Sequence, residues 1–284
     1  MIPGSFEYHR PDSVGAAIKL LAEHGDEARV MAGGHSLIPL MKLRMTDIDH
    51  LIDLQAIDNL SGISIKGGKV HIGAMTTQHE LINDDALLKA APIIREASLQ
   101  IADPQVRYMG TVGGNVANGD PGNDMPGLMQ CLDATYEVEG PKGKREIKAR
   151  DFYEAAYFTS LAEDEILTSV HFDAPAGGYA YKKMKRKIGD YATAAAAVLI
   201  DMDGGKCKSA SIAMTNLSDT PIYSENAGKA LVGTSIDDAA IDAAVAAMDK
   251  AINPAEDNRG PVDFKRHVAG VMLRRAIASA AERA

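Results

Sequence analysis

The N-terminal part of the chain alternates between helical and strand-like patterns of hydrophobic positions. Over 14–21 the apolar residues recur at the i, i+3, i+4 and i+7 spacing of a helix. The N-cap candidates at 12–13 precede this helix, and Gly25 follows it at a position where a glycine can end a helix. We therefore expect a small βαβ unit. Its predicted elements are helices over 14–21 and 37–45 and strands over 28–32 and 50–54.

The middle of the chain carries a mixed pattern that favours an antiparallel sheet with helices. Two short strand-like runs flank the turn sequence Gly-Pro-Lys-Gly at 140–143, and together they predict a β-hairpin. A stretch rich in Gly, Asn and Asp over 110–124 is typical of loops that wrap a ligand. The predicted elements are strands over 70–74, 136–139, 145–148 and 166–172 and helices over 78–82 and 92–100.

A change of composition at 173–178, Asp-Ala-Pro-Ala-Gly-Gly, is the best candidate for a linker. The sequence predicts an α+β protein of two domains. Residues 1–175, with subparts of about 1–55 and 56–175, would combine the βαβ unit with a mixed or antiparallel sheet and helices. Residues 176–284 would form a smaller domain of a three-stranded antiparallel sheet with helices. Its predicted elements are strands over 179–187, 194–201 and 206–215 and helices over 226–231, 236–252 and 263–284.

The charge balance and the distribution of polar residues exclude several classes of function. The 284 residues include 30 basic and 39 acidic side chains, a formal net charge of −9, so nucleic acid is not an expected partner. The longest run without a strongly polar side chain, 191–200, is about half a membrane span, and no transmembrane segment is predicted. Residues 1–4 lack the features of a secretion signal, so we expect an unexported, cytoplasmic protein.

Cysteine and histidine are placed in ways that argue against metal centres built from short motifs. Cys131 and Cys207 form no CxxC pair and cannot by themselves hold an iron–sulfur cluster; both are predicted to be buried, small apolar residues. His79 and Glu80 do not extend to an HExxH motif, and the other seven histidines show no short ligand spacing, so no metal site is predicted. Any redox centre must be organic or lie in another protein.

Two glycine-rich segments have the composition of phosphate-binding loops. Residues 32–36, Ala-Gly-Gly-His-Ser, stand between a predicted strand and a predicted helix, where adjacent glycines let backbone N–H groups point toward one anion. Residues 110–115, Gly-Thr-Val-Gly-Gly-Asn, combine main-chain donors with a hydroxyl and an amide. Either loop alone is compatible with an ordinary tight turn. Two such loops in one domain could hold a diphosphate from both sides.

Further candidate groups follow these loops. Asp120 or Asp124 could accept hydrogen bonds from ribose or ribityl hydroxyls, and the carboxylate spacing does not fit a calcium loop. The run 181–193 contains five basic residues beside Tyr191, and the small residues of 192–197 would let a flat ring approach closely. A solvated strand edge explains most of the lysines equally well.

Taken in this order, residues 32–36 and 111–115 resemble the paired FAD-diphosphate motifs of the medium subunits of molybdenum hydroxylases, the xanthine dehydrogenase family. The resemblance extends over essentially the whole chain. Within the family the flanking stretches are most similar to the flavoprotein subunits of aerobic carbon monoxide dehydrogenases. These stretches are 1–6, 101–105, 119–124 and 185–193.

The resemblance implies an FAD held between a two-part N-terminal domain and a smaller C-terminal α+β domain, with no catalytic or metal-binding residue in this chain. Diphosphate contacts are implied for Ala32, Gly33, Gly34, His35, Ser36, Thr111, Val112, Gly113, Gly114 and Asn115. Asp124 is implied as an acceptor for a ribityl or ribose hydroxyl, Ile101 and Leu167 as apolar contacts, and Tyr191 as a ring contact. A lysine of the basic run is also implied to lie near the FAD, and its spacing to Asp190 favours Lys183.

The function implied is that of an oxidoreductase subunit that transfers electrons. A small partner subunit would supply them from 2Fe–2S clusters, and a large partner would hold the molybdenum cofactor and oxidise the substrate, carbon monoxide. The acceptor would be a quinone, and the assembly would be a dimer of heterotrimers. The expected location is the cytoplasm, with or without association of the complex with the inner face of the membrane through its acceptor. The alternatives are an aldehyde, xanthine or N-heterocycle dehydrogenase subunit, a flavin-free assembly subunit, and a free-standing NAD(P)H-dependent flavin reductase.

Overall fold

The computed structural model describes residues 2–284, so Met1 of the stretch 1–6 lies outside the described residues. The N-terminal elements are β1 (Glu7–His9), α1 (Val14–His24), β2 (Ala28–Met31), α2 (Leu37–Lys42) and β3 (His50–Asp53). The three strands form a parallel sheet in the order β1-β3-β2. The predicted βαβ unit is confirmed, with β1 as an additional strand that the short sequence Glu-Tyr-His does not reveal.

Local signals set the two helices of this unit. Ser13 Oγ accepts a hydrogen bond from the Ala16 N–H at 3.4 Å, and Gly25 takes a left-handed φ of 51° that ends α1 as predicted. Helix α2 ends at Lys42 rather than at residue 45. The chain leaves the helix there because Arg44 has a φ of 54°.

The middle part of the chain folds around a five-stranded sheet. Its elements are β4 (Ile63–Lys66), β5 (Lys69–Gly73), α3 (Gln78–Asn83), α4 (Asp85–Ala90), α5 (Pro92–Ser98), α6 (Pro104–Met109), α7 (Val112–Ala117), α8 (Asp124–Cys131), β6 (Thr135–Gly140), β7 (Gly143–Lys148), β8 (Tyr153–Ala155), β9 (Phe158–Thr159) and β10 (Ile166–Asp173). The sheet is antiparallel throughout, in the order β4-β5-β10-β6-β7, and β8-β9 is a separate ribbon. The antiparallel sheet and its hairpin β6-β7 are confirmed.

The segment 110–124 contains helices where the sequence predicted only turns. Thr111 caps α7 by accepting a hydrogen bond from the Gly114 N–H at 3.0 Å, and Val112 and Val116 are fully buried. Adjacent glycines are poor helix formers, so the burial of the two valines supplies the stabilisation that the local pattern does not show.

The C-terminal elements are β11 (Gly178–Met184), β12 (Ala194–Asp203), β13 (Lys206–Thr215), β14 (Ile222–Tyr223), α9 (Glu225–Leu231), α10 (Asp238–Asp249) and α11 (Val262–Ala281). The strands form one antiparallel sheet in chain order. The prediction of three strands is corrected to four, because the two-residue β14 pairs with the end of β13. Strand β11 ends at Met184 rather than at 187.

This C-terminal sheet is buried on both faces. Ala194, Ala196 and Val198 of β12 pack with the C-terminal helices, whereas Ala195 and Ala197, which point the other way, pack into the core of the middle part. A strand covered on both sides has no polar face, which explains its continuous apolar run. The same alternation on β11 directs Tyr181 into the core of the middle part.

Both cysteines are buried, as predicted. Burial raises the pKa of the Cys131 thiol to about 12, so it is not a thiolate at neutral pH. Across residues 2–284, none of the helices has the length and apolar character needed to cross a membrane.

Candidate functional site

One cavity of about 770 Å³ lies where the N-terminal unit, α7, α8, β10 and the C-terminal sheet meet. Of the predicted site residues, it is lined by Ala32, Gly33, Gly34, His35, Ser36, Ile101, Thr111, Gly113, Gly114, Asn115, Asp124, Leu167, Lys183 and Tyr191. The structure therefore brings together groups that are far apart in the sequence. Val112 is the exception, because its side chain is fully buried in the core.

The loop 32–36 lines the cavity and leaves most of its backbone donors without a protein acceptor in the described part of the chain. It connects β2 to α2, and Gly34 has a left-handed φ of 75°. Within residues 2–284, the N–H groups of Gly33, Gly34, His35 and Ser36 donate to no protein acceptor. A row of unused main-chain donors on a loop that lines a cavity is the arrangement expected of an anion-binding loop.

The loop 111–115 uses most of its backbone donors inside the protein. The Val112 N–H donates to Thr76 O at 2.9 Å, the Gly113 N–H to Ala74 O at 2.8 Å, and the Gly114 N–H to the Thr111 hydroxyl. This corrects the prediction that its Gly-Gly pair offers main-chain donors to a ligand.

The second loop nevertheless lines the cavity with two side chains that keep a free donor, Thr111 and Asn115. Asn115 Oδ1 accepts a hydrogen bond from the Met125 N–H at 3.1 Å, which fixes the orientation of the amide and leaves its Nδ2 as a donor. Thr111 Oγ1 accepts from Gly114, so its own O–H is still available to donate. The second loop therefore offers an amide and a hydroxyl.

The glycines of both loops are explained by close packing. A Cβ on Gly33 would lie 2.0 Å from the carbonyl oxygen of Met109, and one on Gly113 would lie 2.5 Å from the Cβ of Ala74. A Cβ on Gly114 would meet the Cβ of Ala32 at 3.3 Å. The first loop is thus packed directly against the segment that carries the second, and the two loops form adjacent walls of the cavity.

A buried polar network forms the floor of the cavity. Asp124, the first residue of α8, accepts a hydrogen bond from the Tyr181 hydroxyl at 2.5 Å and an ion-paired one from Lys183 Nζ at 2.7 Å. Lys183 also donates to the carbonyl oxygen of Gln100 at 3.2 Å. Among the lysines of the basic run, Lys183 is the one that lines the cavity.

Sequence reasoning missed Tyr181. The available signal is its position two residues before Lys183, because alternate residues of a strand share a face. Burial raises the pKa of the Asp124 carboxyl, and Lys183 offsets only part of that rise. Burial also raises the pKa of Tyr181 well above its ordinary value, so its hydroxyl keeps its proton and remains a donor.

Tyr191 stands at the mouth of the cavity and is 41% exposed. Its N–H donates to the Asp190 carboxylate at 2.9 Å, and that carboxylate also accepts from Arg186 Nε at 2.9 Å. A Cβ on Gly122 would come within 3.0 Å of the Tyr191 ring, so the ring lies directly over that glycine. Burial raises the pKa of Tyr191 to about 12, which keeps the ring neutral.

The apolar part of the wall includes Ile101 and Leu167, both buried. The pairing of β10 with β6 shifts register between Leu167 and Ser169, a bulge of the kind that redirects side chains near binding sites. Ala102 and Tyr157, which sequence reasoning missed, also line the wall with left-handed φ values of 43° and 65°. Such conformations are costly and concentrate at functional sites.

Two protein families match the chain in tandem. The family described as the FAD binding domain in molybdopterin dehydrogenase matches residues 4–175, and the CO dehydrogenase flavoprotein C-terminal domain matches residues 179–280.

Full-length relatives show the same likeness. The chain is 58% identical to the carbon monoxide dehydrogenase medium chain of Afipia carboxidovorans, covering 100% of this chain and 99% of that protein. It is 43% identical to the corresponding chain of Hydrogenophaga pseudoflava, with coverage of 99% and 98%. It is 33% identical to the glyceraldehyde dehydrogenase medium chain of Sulfolobus acidocaldarius, with coverage of 97% and 98%.

Solved structures agree with this likeness. A chain of the reconstituted CO dehydrogenase from Oligotropha carboxidovorans superposes with a TM-score of 0.99 at 58% identity, and the match covers 100% of both chains. A chain of the cyanide-inactivated Cu,Mo-CO dehydrogenase superposes with a TM-score of 0.98, also at 58% identity and with full coverage of both chains.

Proposed function

Since the chain belongs to the FAD-binding medium subunits of the molybdenum hydroxylase family, we propose that it is the flavoprotein subunit of an aerobic carbon monoxide dehydrogenase. Carbon monoxide and water would become carbon dioxide, two protons and two electrons at the molybdenum site of a large partner subunit. The electrons would pass through the 2Fe–2S clusters of a small partner to this chain and on to a quinone-type acceptor. The observation that carries the proposal is that both glycine loops line the same cavity.

The cavity fits FAD in size and in donor set. Its volume of about 770 Å³ is within the range of sites that enclose a large part of an extended ligand. Unused N–H groups on 32–36 suit a phosphate, the buried Ile101 and Leu167 suit an apolar ring system, and Asp124 has acceptor capacity for a hydroxyl. When bound, FAD supplies a centre that accepts and releases electrons one or two at a time.

The chain's own residues hold the cofactor in this proposal. The N–H groups of 33–36 bind the diphosphate, and Thr111 and Asn115 reach it from the other side through the hydroxyl and the amide. Asp124 accepts from a ribityl or ribose hydroxyl, and Lys183 and Tyr181 fix the orientation of that carboxylate. Tyr191 packs against the ring at the cavity mouth. Val112 contributes by anchoring α7 in the core.

The proposal extends to assembly and to the division of the chain. The partners are a large molybdenum subunit and a small iron–sulfur subunit, arranged as a dimer of heterotrimers in the cytoplasm. The chain divides into an FAD-binding domain of residues 1–175 and a C-terminal domain of residues 176–284. The segment left between the two matched families, 176–178, supports a boundary at this position.

The test is co-purification of the chain with its partners, followed by flavin and metal analysis and by anaerobic addition of carbon monoxide. We expect one FAD per chain and bleaching of the flavin absorbance by carbon monoxide. A complex that assembles without flavin would instead make this chain an assembly subunit. Rapid bleaching of the isolated chain by NAD(P)H would favour a free-standing reductase.

A second candidate substrate class is an aldehyde, because the relative from Sulfolobus acidocaldarius is a glyceraldehyde dehydrogenase chain. Bleaching of the complex by glyceraldehyde and not by carbon monoxide would favour it. In either case the proposed FAD site stands, since substrate oxidation belongs to the partner subunit.

A further inference from the structure

Three histidines that lie far apart in the sequence meet at one corner of the N-terminal parallel sheet. His9 ends β1, His24 ends α1 and His50 begins β3. One ring nitrogen from each lies within 4.8 Å of the others. His9 Nε2 and His50 Nδ1 are 3.0 Å apart, and the rings of His24 and His50 stack with centroids 3.6 Å apart. The cluster is separate from the cavity and plays no part in the proposed electron transfer.

A carboxylate lies beside this set of donors, on an exposed side chain that can swing toward it. Glu7 is the direct neighbour of His50 in the pairing of β1 with β3, and its Oε2 lies 3.6 Å from His50 Nδ1. Glu7 and His9 are two residues apart on β1 and therefore share one face of the strand. Three imidazoles and one carboxylate are typical ligands for zinc and its transition-metal neighbours.

We propose that His9, His24 and His50 bind one divalent transition-metal ion of the class that prefers imidazole, such as Zn²⁺, Ni²⁺ or Cu²⁺, with Glu7 as the fourth ligand. The His9 and His50 nitrogens are 3.0 Å apart, and tetrahedral ligands with zinc bonds of about 2.0–2.1 Å are about 3.3 Å apart, so a movement of a few tenths of an ångström brings these two into range of one ion. The His24 ring is nearly parallel to that of His50, with an interplanar angle of 11°, so metal binding requires this ring to rotate until one nitrogen points at the ion. Like the other two histidines, His24 is only partly buried.

The ion would join elements that support the first glycine loop. Its ligands come from β1, α1 and β3, and β3 pairs in turn with β2, which leads into residues 32–36. With four protein ligands the site is closed and structural, so bound metal should stabilise this unit without taking part in electron transfer.

The first test is calorimetric titration of the untagged, chelator-treated full chain with Zn²⁺ alone. We expect one ion per chain with a micromolar or tighter Kd, and at least about tenfold weaker binding in His24→Gln and in His50→Gln. His267→Gln is the matched control, because His267 is exposed on α11 outside the cluster. Equal affinity in all four proteins, or no saturable binding to the wild type, would overturn the proposal.

A second test, chemical labelling of the wild-type chain, needs no variant, so its result does not depend on whether a histidine variant folds. Diethyl pyrocarbonate labels accessible imidazoles, and mass spectrometry identifies each labelled residue. Zn²⁺ should lower the labelling of His9, His24 and His50 several-fold and leave His267 unchanged. If labelling of the three is insensitive to Zn²⁺, they form a stacked, hydrogen-bonded cluster and no metal site.

Discussion

The two walls of the cavity look alike in sequence and differ in how their polar groups are used. Loop 32–36 leaves four consecutive N–H groups without a protein acceptor within residues 2–284, whereas 111–115 donates most of its own to Thr76, Ala74 and Thr111. On the floor of the cavity, Asp124 also accepts hydrogen bonds from Tyr181 and Lys183, one on each oxygen, and keeps acceptor capacity for a further donor. A Gly-Gly pair therefore marks a close approach of backbone, and only the hydrogen-bond partners decide whether that backbone is free for a ligand.

The largest effect is expected on the floor of the cavity, where Asp124 and Lys183 are already paired inside the protein. Lys183→Met leaves the buried Asp124 carboxylate without its cation and should lower the free energy of unfolding by about 3–5 kcal/mol. Burial already raises the pKa of Asp124, and loss of Lys183 raises it further, so stability should fall as pH rises through that pKa.

Denaturant unfolding of both proteins at about pH 5 and about pH 8 checks this, because the protonated carboxyl costs less to bury. The difference from wild type should be smaller at the lower pH. Lys182→Met, an adjacent lysine that does not line the cavity, is the control. A pH-independent deficit would mean that lost packing, and not the buried charge, is responsible.

Next in size is Gly33→Ala, which places a Cβ 2.0 Å from the Met109 carbonyl oxygen and forces the two walls apart. We expect a loss of about 1–3 kcal/mol and a more than tenfold drop in FAD retention. Gly15→Ala is the control, since a Cβ there meets nothing within 4 Å. Full FAD retention in Gly33→Ala would show that the contact between the walls is dispensable.

A smaller effect is expected from Thr111→Ala, which removes the hydroxyl that caps α7. The loss should be about 1 kcal/mol in thermal unfolding of the FAD-free chain, because a structural group acts even without ligand. Thr111→Ser keeps the hydroxyl and should restore stability. If Thr111→Ala changes FAD affinity and leaves the FAD-free chain unaffected, the second wall is a binding loop like the first.

The smallest effect is expected from His35→Ala. The first wall is proposed to bind through its backbone, so loss of this side chain should change FAD affinity by no more than about threefold, which is about 0.65 kcal/mol. Fluorescence titration of the FAD-free chain with FAD measures it. A loss of a hundredfold would assign binding to the imidazole and remove the contrast between the walls.

The sequence predicted features whose signals are local. The cap at Ser13, the stop at Gly25 and the turn at 140–143 act within a few residues, so α1 and the β6-β7 hairpin could be placed. Strand β1 exists because it pairs with β3, far along the chain, and α7 because its two valines enter the core. Such tertiary contacts leave no periodic signal in a short segment.

The candidate site also has a part that the sequence predicted and a part that it could not predict. Of the site residues predicted from residue types and from the resemblance to a family, all but Val112 line the cavity. The resemblance could not show that the Gly113 N–H is used internally, that Tyr181 holds Asp124, or that Val112 faces the core, because each depends on distance in space. The sequence did not predict the histidine cluster for the same reason, since its three members come from three different elements.

The burial of β12 on both of its faces limits which fragments of the protein can be produced. Its alternate side chains belong to two different cores, so cutting the chain at the linker would expose one apolar face of the C-terminal sheet. A fragment made from that half should associate or precipitate, as large exposed apolar patches do. The halves should also melt in one cooperative transition, which makes the intact chain the smallest unit that can be produced, labelled or crystallised usefully.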